Sequence, residues 1–165
     1  MAAQALSVEP VAVNPFYYLD NIQVNFEELN ATTGIWAPVI TDPPVNVQTD
    51  QRLRATFEWT QHGFFAATAV PPGLPVQFYA DLIFERMGAG SDMTFSFGPY
   101  AFQSGNGLTY SQQEIVELGA GPGELPQGLY KVIVLFRMGF AGGLPNDTPV
   151  VGFRELGMIN VYKAD

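Results

Sequence analysis

From about residue 20 onward the chain alternates apolar and polar residues with a period of two, the spacing of a strand with one buried face. In 21–27, Ile22, Val24 and Phe26 share one face, and Asn21, Gln23, Asn25 and Glu27 the other. In 52–60, Leu53, Ala55, Phe57 and Trp59 oppose Arg52, Arg54, Thr56, Glu58 and Thr60. In 76–85, Val76, Phe78, Ala80, Leu82 and Phe84 oppose Gln77, Tyr79, Asp81, Ile83 and Glu85. Residues 93–98 repeat the pattern with Met93, Phe95 and Phe97. Three more strands are expected within 108–118, 129–138 and 150–162, the last with a bend or bulge near Gly152 or Gly157. Shorter extended pieces are expected around 35–40, 45–49 and 64–69.

The 165 residues include 17 Gly and 13 Pro, and these concentrate between the alternating runs, at Asp42-Pro43-Pro44, Pro71-Pro72-Gly73, Gly105-Asn106-Gly107 and Gly119 to Gly123. No window of helical length combines a 3.6-residue period with freedom from Gly and Pro. The stretch 111–118 has some helix propensity, but its length and its flanking glycines favour a strand. Many strands punctuated by turn residues read as an all-β, single-domain antiparallel sandwich of about seven to nine strands. Residues 1–15 show no clear period and are expected to form an extended or flexible arm; 16–165 form the sandwich, with a long insertion at about 30–51.

The segment Leu125-Pro126-Gln127-Gly128-Leu129-Tyr130-Lys131-Val132 resembles the tyrosine corner of immunoglobulin-like and related Greek-key sandwiches. Gly128, Tyr130 and Val132 carry the resemblance, Val132 standing where antibody domains have Cys. The chain lacks both cysteines of those domains, and it has no Trp in the strand 76–85. The resemblance implies the broad architecture, with strands in the order 21–29, 52–60, 75–86, 92–98, 108–118, 129–138 and 152–163.

Chemistry is sparse by comparison. The chain has no Cys, so it has neither thiol nucleophile nor thiolate metal site. The one His, His62, follows a strand at a turn, where a solvated role is expected. None of the serines lies in a G-x-S-x-G elbow. The best carboxylate grouping is Asp81 and Glu85 on the outer face of 76–85, with Glu58 expected on an adjacent strand. No metal or cofactor is expected. A net charge of −9 with only seven Lys and Arg argues against a phosphate-backbone partner. No apolar run is long enough to span a bilayer as a helix. The first residues lack a basic region before an uninterrupted apolar stretch, so a cytoplasmic location at synthesis is expected.

Apolar residues exceed what one core needs. Leu129, Ile133 and Leu135 fall on the face of 129–138 opposite Tyr130, Val132, Val134 and Phe136. If 76–85 lies beside this strand, Tyr79, Ile83, Ile133 and Leu135 form one outer patch, the kind of surface that marks protein contacts. The arm or the insertion offers an alternative cover for it. Phe64, Phe65, Phe140 and Leu144 lie in loops as further candidate contacts. The reading that follows is a non-enzymatic module working by protein contact, as a subunit of a larger assembly or by self-association. The alternative is a lectin-like sandwich binding carbohydrate or another small ligand through Trp36, Tyr100, Phe102, Asn106 and Tyr110.

Overall fold

The structure is a computed structural model and describes residues 4–8, 13–14, 17–39, 45–67, 76–140 and 150–163. Seven strands make up its frame: β4 (Tyr17–Leu29), β7 (Arg52–His62), β8 (Val76–Arg86), β9 (Met93–Ala101), β10 (Leu108–Glu117), β11 (Gly128–Phe140) and β12 (Val150–Tyr162). Five short ones accompany them: β1 (Gln4–Ala5), β2 (Ser7–Val8), β3 (Val13–Asn14), β5 (Trp36–Pro38) and β6 (Val45–Gln48). They form two sheets. In the first, β4, β7 and β10 lie side by side, with β1, β3 and β5 along the other edge of β4. In the second the order is β12, β11, β8, β9, with β2 and β6 on the far edge of β12. The chain is thus an all-β sandwich, and each strand expected from alternation is present. Every pairing among the described strands is antiparallel except that of β6 with β12.

The expected pattern survives because bulges correct it where the period fails. In β4 the register with β7 slips between Asp20 and Gln23, and Asn21 takes φ 51°. Asn tolerates this left-handed backbone better than most residues. The extra residue turns both Leu19 and Ile22 inward, although they are three apart. Gly157, at φ 113°, does the same in β12, so that Leu156 as well as Ile159 and Val161 is buried. In β9 the register with β8 slips around Gly98–Pro99, a cis peptide bond, and a Cβ on Gly98 would come within 2.8 Å of the Phe78 carbonyl. By contrast β10 pairs with β7 through ten consecutive residues without interruption. The segment after His62 is not extended. Phe64–Ala67 forms one helical turn, where Gly63 at φ 104° breaks β7 and the following alanines favour helix.

The core is aromatic at its centre. Trp59 of β7 stacks on Tyr110 of β10 at 4.7 Å and 6°, and its ring meets Phe136 at 4.8 Å and Phe78 at 5.2 Å from the opposite sheet. The Trp missing from 76–85 is therefore supplied across the sandwich. The Tyr130 hydroxyl donates to the Pro126 carbonyl at 3.0 Å.

The edge formed by β4 and β12 is closed by two straps. Residues 4–5 pair with β4, Leu6 is buried and donates its N–H to the Ile22 carbonyl at 2.7 Å, and residues 7–8 pair with β12. The insertion repeats the crossing. Residues 36–38 pair with β4, Val39 is buried and donates to the Phe26 carbonyl at 2.8 Å, and 45–48 pair with β12. Where described, then, arm and insertion are both edge structure.

Candidate functional site

The expected patch lies on the outer face of the second sheet. Ile83 and Ile133 are directly opposed in the β8–β11 ladder, and Leu135 stands two residues along on the same face. All three are half-buried. Tyr79 belongs to this face but is buried, and its hydroxyl donates to Gln77 Oε1 at 2.9 Å. The band continues on β12, where Phe153 opposes Leu135 and is 45% exposed. Ion pairs bound it on two sides: Arg137 with Asp81 at 2.7 Å, and Lys131 with Glu155 at 2.8 Å and Glu85 at 3.9 Å. Such pairs keep the surrounding charge local and leave the apolar centre without a competing net field. The described parts of arm and insertion lie along the β4/β12 edge and leave this face uncovered. Phe153 was missed by sequence reading because its parity depends on the β12 irregularities, which alternation alone does not locate.

The residues expected to hold a sugar do something else. Tyr100 and Tyr110 are buried in the core, and Phe102 packs against it. Asn106 Oδ1 accepts the Gly63 N–H at 2.9 Å and so ties the 102–107 turn to the end of β7. The centre of this region is Gln61, a fully buried amide. It donates to the carbonyls of Gln103 and Gly105 and accepts from the hydroxyls of Tyr110 at 2.9 Å and Tyr17 at 3.3 Å. A buried amide with this many partners fastens a loop and leaves little free for a ligand. Burial raises the pKa of the Tyr17 and Tyr110 hydroxyls. Trp36 lies elsewhere, on the first sheet, with the Arg54 guanidinium over its ring at 4.3 Å.

The carboxylates do not converge. Asp81 and Glu85 are on β8, whereas Glu58 is on β7 in the other sheet, so the strands are not neighbours and the three acids face outward on opposite sides of the sandwich. Glu58 instead accepts from Gln23 Nε2 at 2.7 Å. His62 ends β7 and stacks on Tyr18 at 5.0 Å. Among the described residues, no group of three or more His, Asp or Glu is placed to hold a metal. No helix among them is long and apolar enough to cross a membrane. Of the loop candidates, Phe64 is 64% exposed on the helical turn. Leu144 and the side chains of Phe65 and Phe140 lie outside the described residues.

Two shallow depressions lie near one end of the sandwich. One, of about 290 Å³, is lined by Asn30, Thr32, Asn46, Gln48, Gln51 and Tyr162, among others. Its amides are partly engaged with one another, as in Gln48 Nε2 to the Tyr162 hydroxyl at 2.8 Å and Asn160 Nδ2 to Asn46 Oδ1 at 2.9 Å. The other, of about 410 Å³, takes in Arg86 and Lys163. The side opposite the straps, where β9 and β10 end their sheets, has no described strand beyond it. Across it the Tyr100 hydroxyl donates to Glu114 Oε1 at 2.7 Å. Burial, and then that bond to Glu114 and its charge, holds the Tyr100 hydroxyl well above the usual tyrosine range. Compared with known proteins, the chain matches no family model, and no curated protein matches it.

Proposed function

We propose that the protein is a non-enzymatic β-sandwich that works by contact with other protein, as a structural or accessory subunit of an assembly or as a self-associating module. The observation that carries this reading is the band Ile83, Ile133, Leu135 and Phe153, which runs across three strands of one outer face and is bounded by ion pairs. Outward apolar side chains that meet across neighbouring strands favour removal from water, and the paired charges around them can stay solvated at a rim. The tyrosine-corner bond supports an immunoglobulin-like kinship for the scaffold. The test is Leu135→Thr, which keeps a strand-forming side chain and sets no second carboxylate opposite Asp81. It is expected to leave the melting temperature nearly unchanged and to abolish capture of partners retained by the unaltered protein from its native extract. Capture of the same partners by both forms counts against this face.

A second reading rests on the amide-lined depression. Its side-chain amides and hydroxyls, with the Asp50 carboxylate among them, suit the hydroxyls of a saccharide. A sugar panel is then expected to raise the melting temperature of the protein, and Gln51→Ala to remove the shift. A flat response to every sugar counts against it.

A further inference from the structure

We propose that the free edge of β10 pairs with β10 of a second copy, antiparallel about a two-fold axis at Gln112, so that the first sheet continues across a homodimer. The inference rests on the protein-contact reading and gives it a partner. It starts from backbone direction. The Glu117 carbonyl accepts the Leu125 N–H at 2.9 Å, outside the ladder with β7, so the backbone groups of Glu117 point away from β7. Along an antiparallel strand this direction alternates. The N–H and C=O groups of Thr109, Ser111, Gln113 and Ile115 therefore also face outward, and no described strand pairs with them. Glu117 itself is already capped.

These four residues are symmetric about Gln112, and this selects the register. With the axis there, Thr109 opposes Ile115 of the second copy and Ser111 opposes Gln113, each pair twice, giving about eight backbone hydrogen bonds. Side chains agree with it. On the inner side Gln112 meets its own symmetry mate, Glu114 meets Tyr110, and Val116 meets Leu108. No carboxylate opposes a carboxylate, which is unfavourable in a cross-strand pair. Moving the axis to Glu114 sets two carboxylates face to face. Moving it to Gln113 calls on Glu117, whose carbonyl Leu125 occupies. β10 also keeps one register with β7 over its full length, whereas β9 changes register with β8 between Phe78 and Ala80. The self-complementary edge is thus the regular one.

The chain has no cysteine, so a single introduced thiol reports the register without background. At the axis the two Gln112 Cα atoms form a non-hydrogen-bonded pair about 4.5 Å apart, within disulfide range. The two Ile115 positions are roughly 20 Å apart along the strands. Under mild oxidation Gln112→Cys is expected to give a covalent dimer and Ile115→Cys to remain uncrosslinked. Sedimentation of the unaltered protein should show a dimer that salt strengthens, because each copy carries a net charge of −9. Ser111→Pro removes an outward N–H without touching the β7 ladder and is expected to weaken the dimer at least tenfold, with circular dichroism unchanged. A protein that sediments as a monomer at every concentration and gives no Gln112→Cys cross-link overturns the inference. So does a dimer that cross-links through Ser96→Cys on β9 or Leu135→Cys on the outer face. Because capture through Leu135 is measured separately, either failure leaves the protein-contact reading to its own test.

Discussion

The two long sides of the sandwich solve one problem in opposite ways. A sheet edge presents unpaired N–H and C=O groups, which invite another chain. On the β4/β12 side these groups are taken up within the chain by two straps that run from sheet to sheet, each sinking one apolar residue, Leu6 or Val39, at the crossing. The Arg154 guanidinium also donates to the Ala5 carbonyl and so holds the first strap from β12. On the β9/β10 side no described strand covers the edges, and the Tyr100 hydroxyl reaches from one sheet to Glu114 of the other. One side is closed by backbone pairing and burial. The other carries a register irregularity in β9 and an inward carboxylate, Glu114, on β10, devices that discourage indiscriminate pairing yet leave the backbone accessible. Under the proposed edge pairing, the closed side serves stability and the open side serves association.

Truncation of the straps tests this division most strongly. Leu6→Ala removes a buried side chain between the sheets and is expected to cost about 2–4 kcal/mol, read by urea denaturation, with aggregation rising as the β4 and β12 edges open. Truncation of half-buried Leu108 on the other side should cost clearly less. A reversed order breaks the comparison.

Alkaline pH acts next. The folded state raises the pKa of Tyr17, Tyr100 and Tyr110, so above the ordinary tyrosine pKa the unfolded chain loses protons that the native protein keeps. The stability these hydroxyls contribute is complete below about pH 10 and falls as pH rises beyond it, by about 1.4 kcal/mol per unit for each group. Melting temperatures from pH 8 to 11 should show this fall, with a shallower slope in Tyr100→Phe.

At neutral pH, Tyr100→Phe removes one bond across the open side and is expected to cost about 1 kcal/mol, less than either strap residue. A smaller effect of opposite sign is expected for Glu28→Gln. Glu28 Oε2 is buried without a hydrogen-bond partner, and burial raises the pKa of the group. Removing its charge should stabilise the protein by roughly 0.5 kcal/mol at pH 7, and the gain should vanish under acid conditions where the carboxyl is protonated. Smallest of all, Ser111→Lys on the solvent face of β10 should leave the unfolding midpoint within about 0.5 kcal/mol of the original.

Local pattern made much of the molecule legible. Alternation marked every long strand, because a period of two is what a half-buried strand imposes on its residues. The Tyr130 hydroxyl bonds the Pro126 carbonyl four residues back, a contact that needs only local geometry. The outer-face positions of Ile83, Ile133 and Leu135 followed from the same parity. The candidate ligand aromatics did not. Tyr100 lies beyond the strand expected at 92–98 and Tyr110 near the start of that expected at 108–118, but β9 runs on to Ala101 and both rings enter the core beside Trp59.

What the sequence determined by itself is therefore the class of fold, the approximate place of its long strands, and, away from the bulges, which side chains of a strand share a face. Tertiary structure decided how strands were combined. It set Glu58 and Asp81 on opposite outer faces, brought Phe153 beside Leu135, and turned arm and insertion into straps over one edge while leaving the other free. The physical reason is that alternation records only whether a residue meets core or water. Which sheet a strand joins, and which edge stays unpaired, depends on hydrogen bonds between segments far apart in the chain, and those leave no periodic mark on either partner.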